Sequence, residues 1–214
     1  MQTLKMKFNY PFAAAGEKCK REALSRDDYD PVSLFRWGNM LGMSVLRMLQ
    51  AAEREFGEAG QKAMIAALAE VGREVGRQML AEVVIPSDAE PIEVISAFAS
   101  WINREIYASP EAPRIEDADR CSFDILWCPH QDSYRAFDCR VQRYLVQGMI
   151  EAMREKFPGH DFQVKFQKTI PAGAPVCAFE IWRRRPGQKD DWEKYSEALA
   201  KKALEKSTRG NGQA

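Results

Sequence analysis

The sequence predicts an α+β fold, with N-terminal helices packed on a small, largely antiparallel sheet. Three observations carry this. Apolar residues recur at helical spacing from Leu34 to Ile106. They alternate with polar residues at period two after Arg120 and again after Phe162. Helices come first and strands later, without the strict alternation of a doubly wound fold.

Residues 1–29 read as an irregular segment, because Pro11, Gly16 and Asp27-Asp28 oppose a packed element. A single α+β domain is expected over 30–206. Asp30-Pro31 reads as a helix start, acid at the cap and proline in the first turn. Leu34, Trp37, Leu41, Val45, Leu49 and Phe56 follow at helical spacing, and Gly57 ends the run. A second helix is expected from about Gln61 to Val83, with Met64, Leu68, Val71, Val75 and Met79 on its stripe. Two glycine pairs sit inside these helices, Gly38 with Gly42 and Gly72 with Gly76. Each costs about 1 kcal/mol relative to alanine, so close helix contact, or room for a ligand against bare backbone, must compensate. Pro91 opens a third helix through Ile106, and 109–119 reads as a loop rich in proline and acid.

Cys121, Phe123, Ile125 and Trp127 then alternate with polar neighbours, which means a strand. Cys128-Pro129-His130 breaks it, and a helix is expected over about 138–157, stopped by Pro158-Gly159. Phe162 to Lys168 and Val176 to Arg184 read as a hairpin around Pro171 to Pro175. A charged helix follows over 189–206, and 207–214 reads as a frayed, disordered tail.

Bulk composition bounds the function. Lysine plus arginine is 31 and aspartate plus glutamate is 31, so no basic footprint for nucleic acid is present. No apolar run is long enough for a membrane span, and the N-terminus carries no secretory pattern. No GxGxxG or GxxxxGK[ST] phosphate loop occurs. Five cysteines, an odd number in a chain this long, argue against a disulfide framework and for a cytoplasmic protein with reduced thiols.

Cys128-Pro129-His130 is the main candidate for chemistry. A thiol ahead of a helix N-terminus sits in a positive field that favours thiolate. Cys128 would be the nucleophile, His130 the base and Asp132 the group that orients it. Cys139 and Cys177 join the same site if the last strand pairs beside the Cys128 strand. Cys128, His130, Cys139 and Cys177 would then be a soft set for zinc. Gly72 and Gly76 are candidate ligand contacts. Cys121, of opposite parity to Cys128, should face the other side of the sheet. Cys19 reads as incidental and His160 as exposed.

The stretch from Phe123 to Trp182 carries Cys128-Pro129 after a strand and Ala172-Gly173-Ala174-Pro175-Val176-Cys177-Ala178-Phe179 near its end. It resembles the L-2-amino-thiazoline-4-carboxylic acid hydrolase family. The helix from Gly57 to Leu80 is similar to the one that precedes that core in the family. The resemblance covers roughly two thirds of the chain. It implies a fold related to the 4-vinyl-reductase-like small-molecule-binding domains, and ring-opening hydrolysis of a small cyclic amidine or amide at a C–N bond. Family members usually have a further cysteine in the helix before the hairpin, where this sequence reads Val146-Gln147-Gly148-Met149-Ile150-Glu151.

Two functions are therefore expected in competition. One is a hydrolase using Cys128 and His130. The other is a non-catalytic domain that binds a small molecule or a metal. In both, the partner is a small molecule rather than nucleic acid or membrane, and the Gly-faced helices allow a homodimer.

Overall fold

The computed structural model describes residues 6–210. It is a four-stranded antiparallel sheet carrying helices, the α+β class expected. The first helix, α1 (Ala13–Cys19), runs on as a π turn over Lys20–Leu24. This corrects the expectation of an irregular 1–29. The stretch before α1 is packed as well: Phe8 is buried against Phe98 and Trp101, and Asn9 N–H donates to Met79 O at 3.0 Å. Phe8 is the residue whose burial holds this stretch down. Residues 1–5 lie outside the described residues.

Helix α2 (Val32–Leu80) contains both predicted helices. They part at Gly57, whose φ of 59° and ψ of −137° are not helical. A side chain there would be strained, so glycine permits the break without ending the element. Asp30 caps the start, accepting the Val32 N–H at 3.0 Å. Helix α3 (Pro91–Trp101) begins where Pro91 placed it. Glu90 and Glu93 form a reciprocal capping box there. A π turn, Ile102–Ile106, closes it.

Strand β1 (Glu111–Asp117) occupies the segment expected to be a loop. Pro113 argued against a strand, but β1 is the edge of the sheet, where one face of the backbone needs no partner. Strand β2 (Arg120–Ile125) ends earlier than its alternation suggested. After a 3₁₀ turn at Ala136–Cys139 comes α4 (Arg140–Lys156). The hairpin β3 (Phe162–Lys168) and β4 (Cys177–Arg183) forms as expected. The last helix, α5 (Asp191–Gly210), continues past 206, so the first part of the expected tail is helical. Residues 211–214 lie outside the described residues.

The sheet order is β1-β2-β4-β3 with every pair antiparallel. Cys121, Phe123 and Ile125 stand opposite Ile181, Phe179 and Cys177, and all six are buried. Alternation on both strands thus puts one apolar face toward the helices. Phe123 and Phe179 stack across it at 4.7 Å.

Helix α4 is buried on two faces. Gly148 packs so tightly on α2 that an added Cβ would stand 1.8 Å from Ala69 O. Gly72 returns the contact, its would-be Cβ 1.9 Å from Leu145 O, and Gly76 meets Ala152 and Met149. The glycines therefore bring two backbones together. A buried polar cluster locks the break in α2. Glu53, before Gly57, accepts from Arg140 of α4 at 2.7 Å and from Gln61, beyond Gly57, at 2.9 Å. Gln61 also donates to Ala200 O of α5 at 2.9 Å. Among the described residues no helix is long and apolar enough to cross a membrane.

Candidate functional site

The second face of α4 carries Gln142, Arg143, Val146, Ile150 and Met153 at helical spacing. It does not close fully onto the sheet. Between them lies a cavity of about 240 Å³, walled by the sheet face, by α3 and by the start of α5. Cys128, His130, Cys139 and Cys177 all line it. Cys177 arrives there because β4 pairs with β2, with Ile125 opposite Cys177. This is the juxtaposition on which the sequence reading depended.

Cys128 follows two residues, Leu126 and Trp127, that have left the β-ladder, since β2 ends at Ile125. Parity no longer governs it. It meets the same space as Cys177, on the face that Cys121 also uses, and not the opposite side of the sheet. Burial pushes the Cys128 thiol up, partly offset by the His130 backbone N–H directed at its sulfur. Cys139 caps the start of α4, yet burial drives its thiol up to about 12, and the fields of Cys128 and Cys177 add to that. Burial raises Cys177 too, opposed by the Ile170 N–H, which donates to its sulfur at 3.1 Å. The expected helix-end activation therefore loses to desolvation, and all three are thiols at neutral pH. Cys139 and Cys177 each nonetheless feel Cys128, which places the three sulfurs in one neighbourhood.

His130 is held differently from the expectation. Its Nδ1 stands 3.3 Å from Asn39 Oδ1 on α2, and its ring stacks on Tyr134 at 4.6 Å. Tyr134 in turn donates to Gly42 O at 2.9 Å. A Cβ at Gly42 would come within 2.7 Å of the His130 ring, so this glycine makes room for it. Asp132 is exposed and takes no part, and Asn39 holds the position it was assigned. Burial lowers the His130 pKa, so the ring is neutral. Asn39 lies in a distant helix, and nothing local in the sequence marks it.

The proposed zinc set is not assembled. Among the described residues no three of His, Cys, Asp or Glu are grouped to hold a metal ion. His130 lines the cavity with the cysteines, but its Nδ1 is tied to Asn39 of α2. Gly72 and Gly76 do not reach the cavity at all, being spent on the α2–α4 contact. His160, expected to be exposed, is partly buried and lines the cavity.

Polar groups unmarked by motif complete the wall. Asn103 donates to buried Glu111 at 2.6 Å. Gln142 presents an Oε1 that is buried without a hydrogen-bond partner. Arg140, Arg143 and Arg154 also line the space. A signal for these existed: Gln142 and Arg143 continue the apolar stripe of Val146, Ile150 and Met153, so polar side chains were due to turn inward.

The sequence profile of the L-2-amino-thiazoline-4-carboxylic acid hydrolase family matches residues 39–181. That span includes Asn39, Cys128, His130, Cys139, Arg143 and Cys177. The chain is also 50% identical over 202 residues to an uncharacterized protein of Archaeoglobus fulgidus, covering 92% of this chain and 89% of the relative.

Proposed function

Since the chain belongs to the L-2-amino-thiazoline-4-carboxylic acid hydrolase family, we propose that its cavity binds a small cyclic amidine, or a related cyclic amide, and opens the ring with water. One observation carries this reading: a cavity of about 240 Å³ with Cys128, Cys139, Cys177 and a neutral His130 on its wall. Common small-molecule sites span ~300–1,000 Å³, so a single compact ring suits this one.

The protonated thiols direct the mechanism. A neutral amidine is itself a base, and within the cavity its ring nitrogen takes the proton of Cys128. The resulting thiolate attacks the amidinium carbon, forming a C–S bond to a tetrahedral centre. Gln142 Oε1, otherwise without a partner, accepts an N–H of the amidinium. The ring C–N bond then breaks as the other amidine nitrogen closes a C=N bond to the same carbon and passes one of its protons to the ring nitrogen, which leaves as a neutral amine. Water then adds to the same carbon, His130 passing its proton on to the C=N nitrogen, and as the new hydroxyl collapses to a carbonyl its proton goes to the departing sulfur, which restores Cys128 as a thiol. The net change is addition of one water.

The test is incubation of the purified protein with 2-amino-thiazoline-4-carboxylate, followed by mass spectrometry. Gain of one water by the substrate is expected, with loss of turnover in Cys128→Ala. No ring opening, or an unchanged rate in that variant, would remove the hydrolase reading. One observation favours the alternative of a non-catalytic binding domain: among the described residues no base is in place against the Cys128 sulfur, whose polar partner is a backbone N–H. Binding of the compound without turnover would select it.

A further inference from the structure

Three arginines line the cavity, and two are neutralised. Arg140 pairs with Glu53 at 2.7 Å and Arg154 with Asp190 at 2.7 Å. Arg143 is only 8% exposed and has no carboxylate within ion-pair distance among the described residues. After the phenols of Tyr195 and Tyr144, Asp190 is the carboxylate whose field reaches it, and that carboxylate is engaged by Arg154 and by the Trp192 N–H. Arg143 Nε donates to Ser196 Oγ at 2.7 Å and Nη2 to Trp192 O at 2.6 Å. Its Nη1 makes no hydrogen bond among the described residues. The guanidinium lies 3.7 Å over the Trp192 ring, and the indole Nε1–H is buried without an acceptor.

A buried cation without a counter-charge is costly, and the Trp192 and Tyr195 rings, 3.7 Å and 4.9 Å from the guanidinium, offset only part of that cost. Burial lowers the Arg143 pKa to about 10, so it remains charged at neutral pH. Two unspent donors, one of them cationic, thus share the wall of a largely apolar space. One positive charge suits one negative charge, and two N–H groups suit the two oxygens of a carboxylate.

We propose that Arg143, aided by Trp192 Nε1, is the anion-binding subsite of the cavity and selects compact monocarboxylates. The inference rests on the reading of this cavity as the ligand site, and it holds whether or not a ring is opened there. Arg143 and Trp192 fix the acidic end of the ligand. The remaining ring lies along the apolar wall toward Cys128.

Calorimetric titration with thiazole-4-carboxylate and its uncharged amide tests it, since neither compound can be opened as an amidine. The parent should bind the acid roughly tenfold to a hundredfold tighter than the amide. Arg143→Gln should abolish that preference, and Trp192→Phe should reduce it. Arg143→Lys, which keeps the charge but not the fork, should retain part of it. If Arg143→Gln fails to fold, the parent's acid-to-amide ratio and the lysine variant decide. A parent that binds both equally, or neither, overturns the subsite, as does an acid preference that survives Arg143→Gln. Turnover of 2-amino-thiazoline-4-carboxylate is read in parallel. Acid preference without turnover sinks the hydrolase alone, and turnover without acid preference sinks the subsite alone.

Discussion

At Cys128 two effects oppose each other: burial disfavours the thiolate, and the His130 backbone N–H favours it. Cys121 is fully buried, with its thiol pushed up to about 12. Native-state alkylation mapped by mass spectrometry should therefore label Cys128 well before Cys121. Equal labelling would show that the two share one environment. The geometry also separates the His130 side chain from its backbone. His130→Ala removes the imidazole but leaves the N–H that faces the sulfur. Turnover should fall roughly a hundredfold or more, as for loss of a general base, while the alkylation rate of Cys128 stays at the parent value. A matching fall in both would mean that the ring itself tunes the thiol.

Glycine has opposite meanings in different parts of the helices. Nothing stands within 4 Å of a Cβ built at Gly38, so Gly38→Ala should stabilise α2 by about 1 kcal/mol through propensity alone. At Gly72 and Gly148 the same methyl would collide with the backbone of the facing helix. Those changes should each cost about 1–3 kcal/mol or more, as overpacking does. Urea unfolding of the three variants measures both signs. A stable Gly148→Ala would mean that α2 and α4 can separate without loss. The separation of α4 into a glycine face for α2 and a mixed face for the cavity follows from its period. Residues 145, 148, 149 and 152 share one side, and 142, 146, 150 and 153 share the other.

Several neutral acids are buried across the whole molecule. Cys121, Cys139, Tyr134 and Tyr144 are each raised to about 12, mainly by burial. In the unfolded chain the thiols ionise near 9.0 and the phenols near 10.0. A raised folded pKa contributes stability that is complete below the unfolded value and is lost as pH rises toward the folded one. The melting temperature should therefore hold up to about pH 9 and fall steeply between about 9 and 12. Replacing Cys121 by Ala should shallow that fall. A melting temperature flat to pH 12 would contradict the burial of these groups.

Local periodicity was enough to predict the α+β class, the start of α3 at Pro91, the break at Gly57 and the β3–β4 hairpin. These depend on residues close in the chain: the cap, the kink, the alternation. The sequence also placed Cys128 and His130 together, and with Cys177 by way of strand pairing. Tertiary structure decided what local pattern does not encode. Pro113 joins a strand because β1 lies at an edge. Cys128 escapes strand parity because β2 stops at Ile125. His130 takes Asn39 rather than Asp132 because α2 packs against its loop, and Arg143 remains a cation without a counter-charge because α5 covers it with Trp192 and Ser196 rather than a carboxylate. In each case the deciding contact joins parts of the chain that only the packed core brings together, and periodicity reports which face is apolar but not what will meet it.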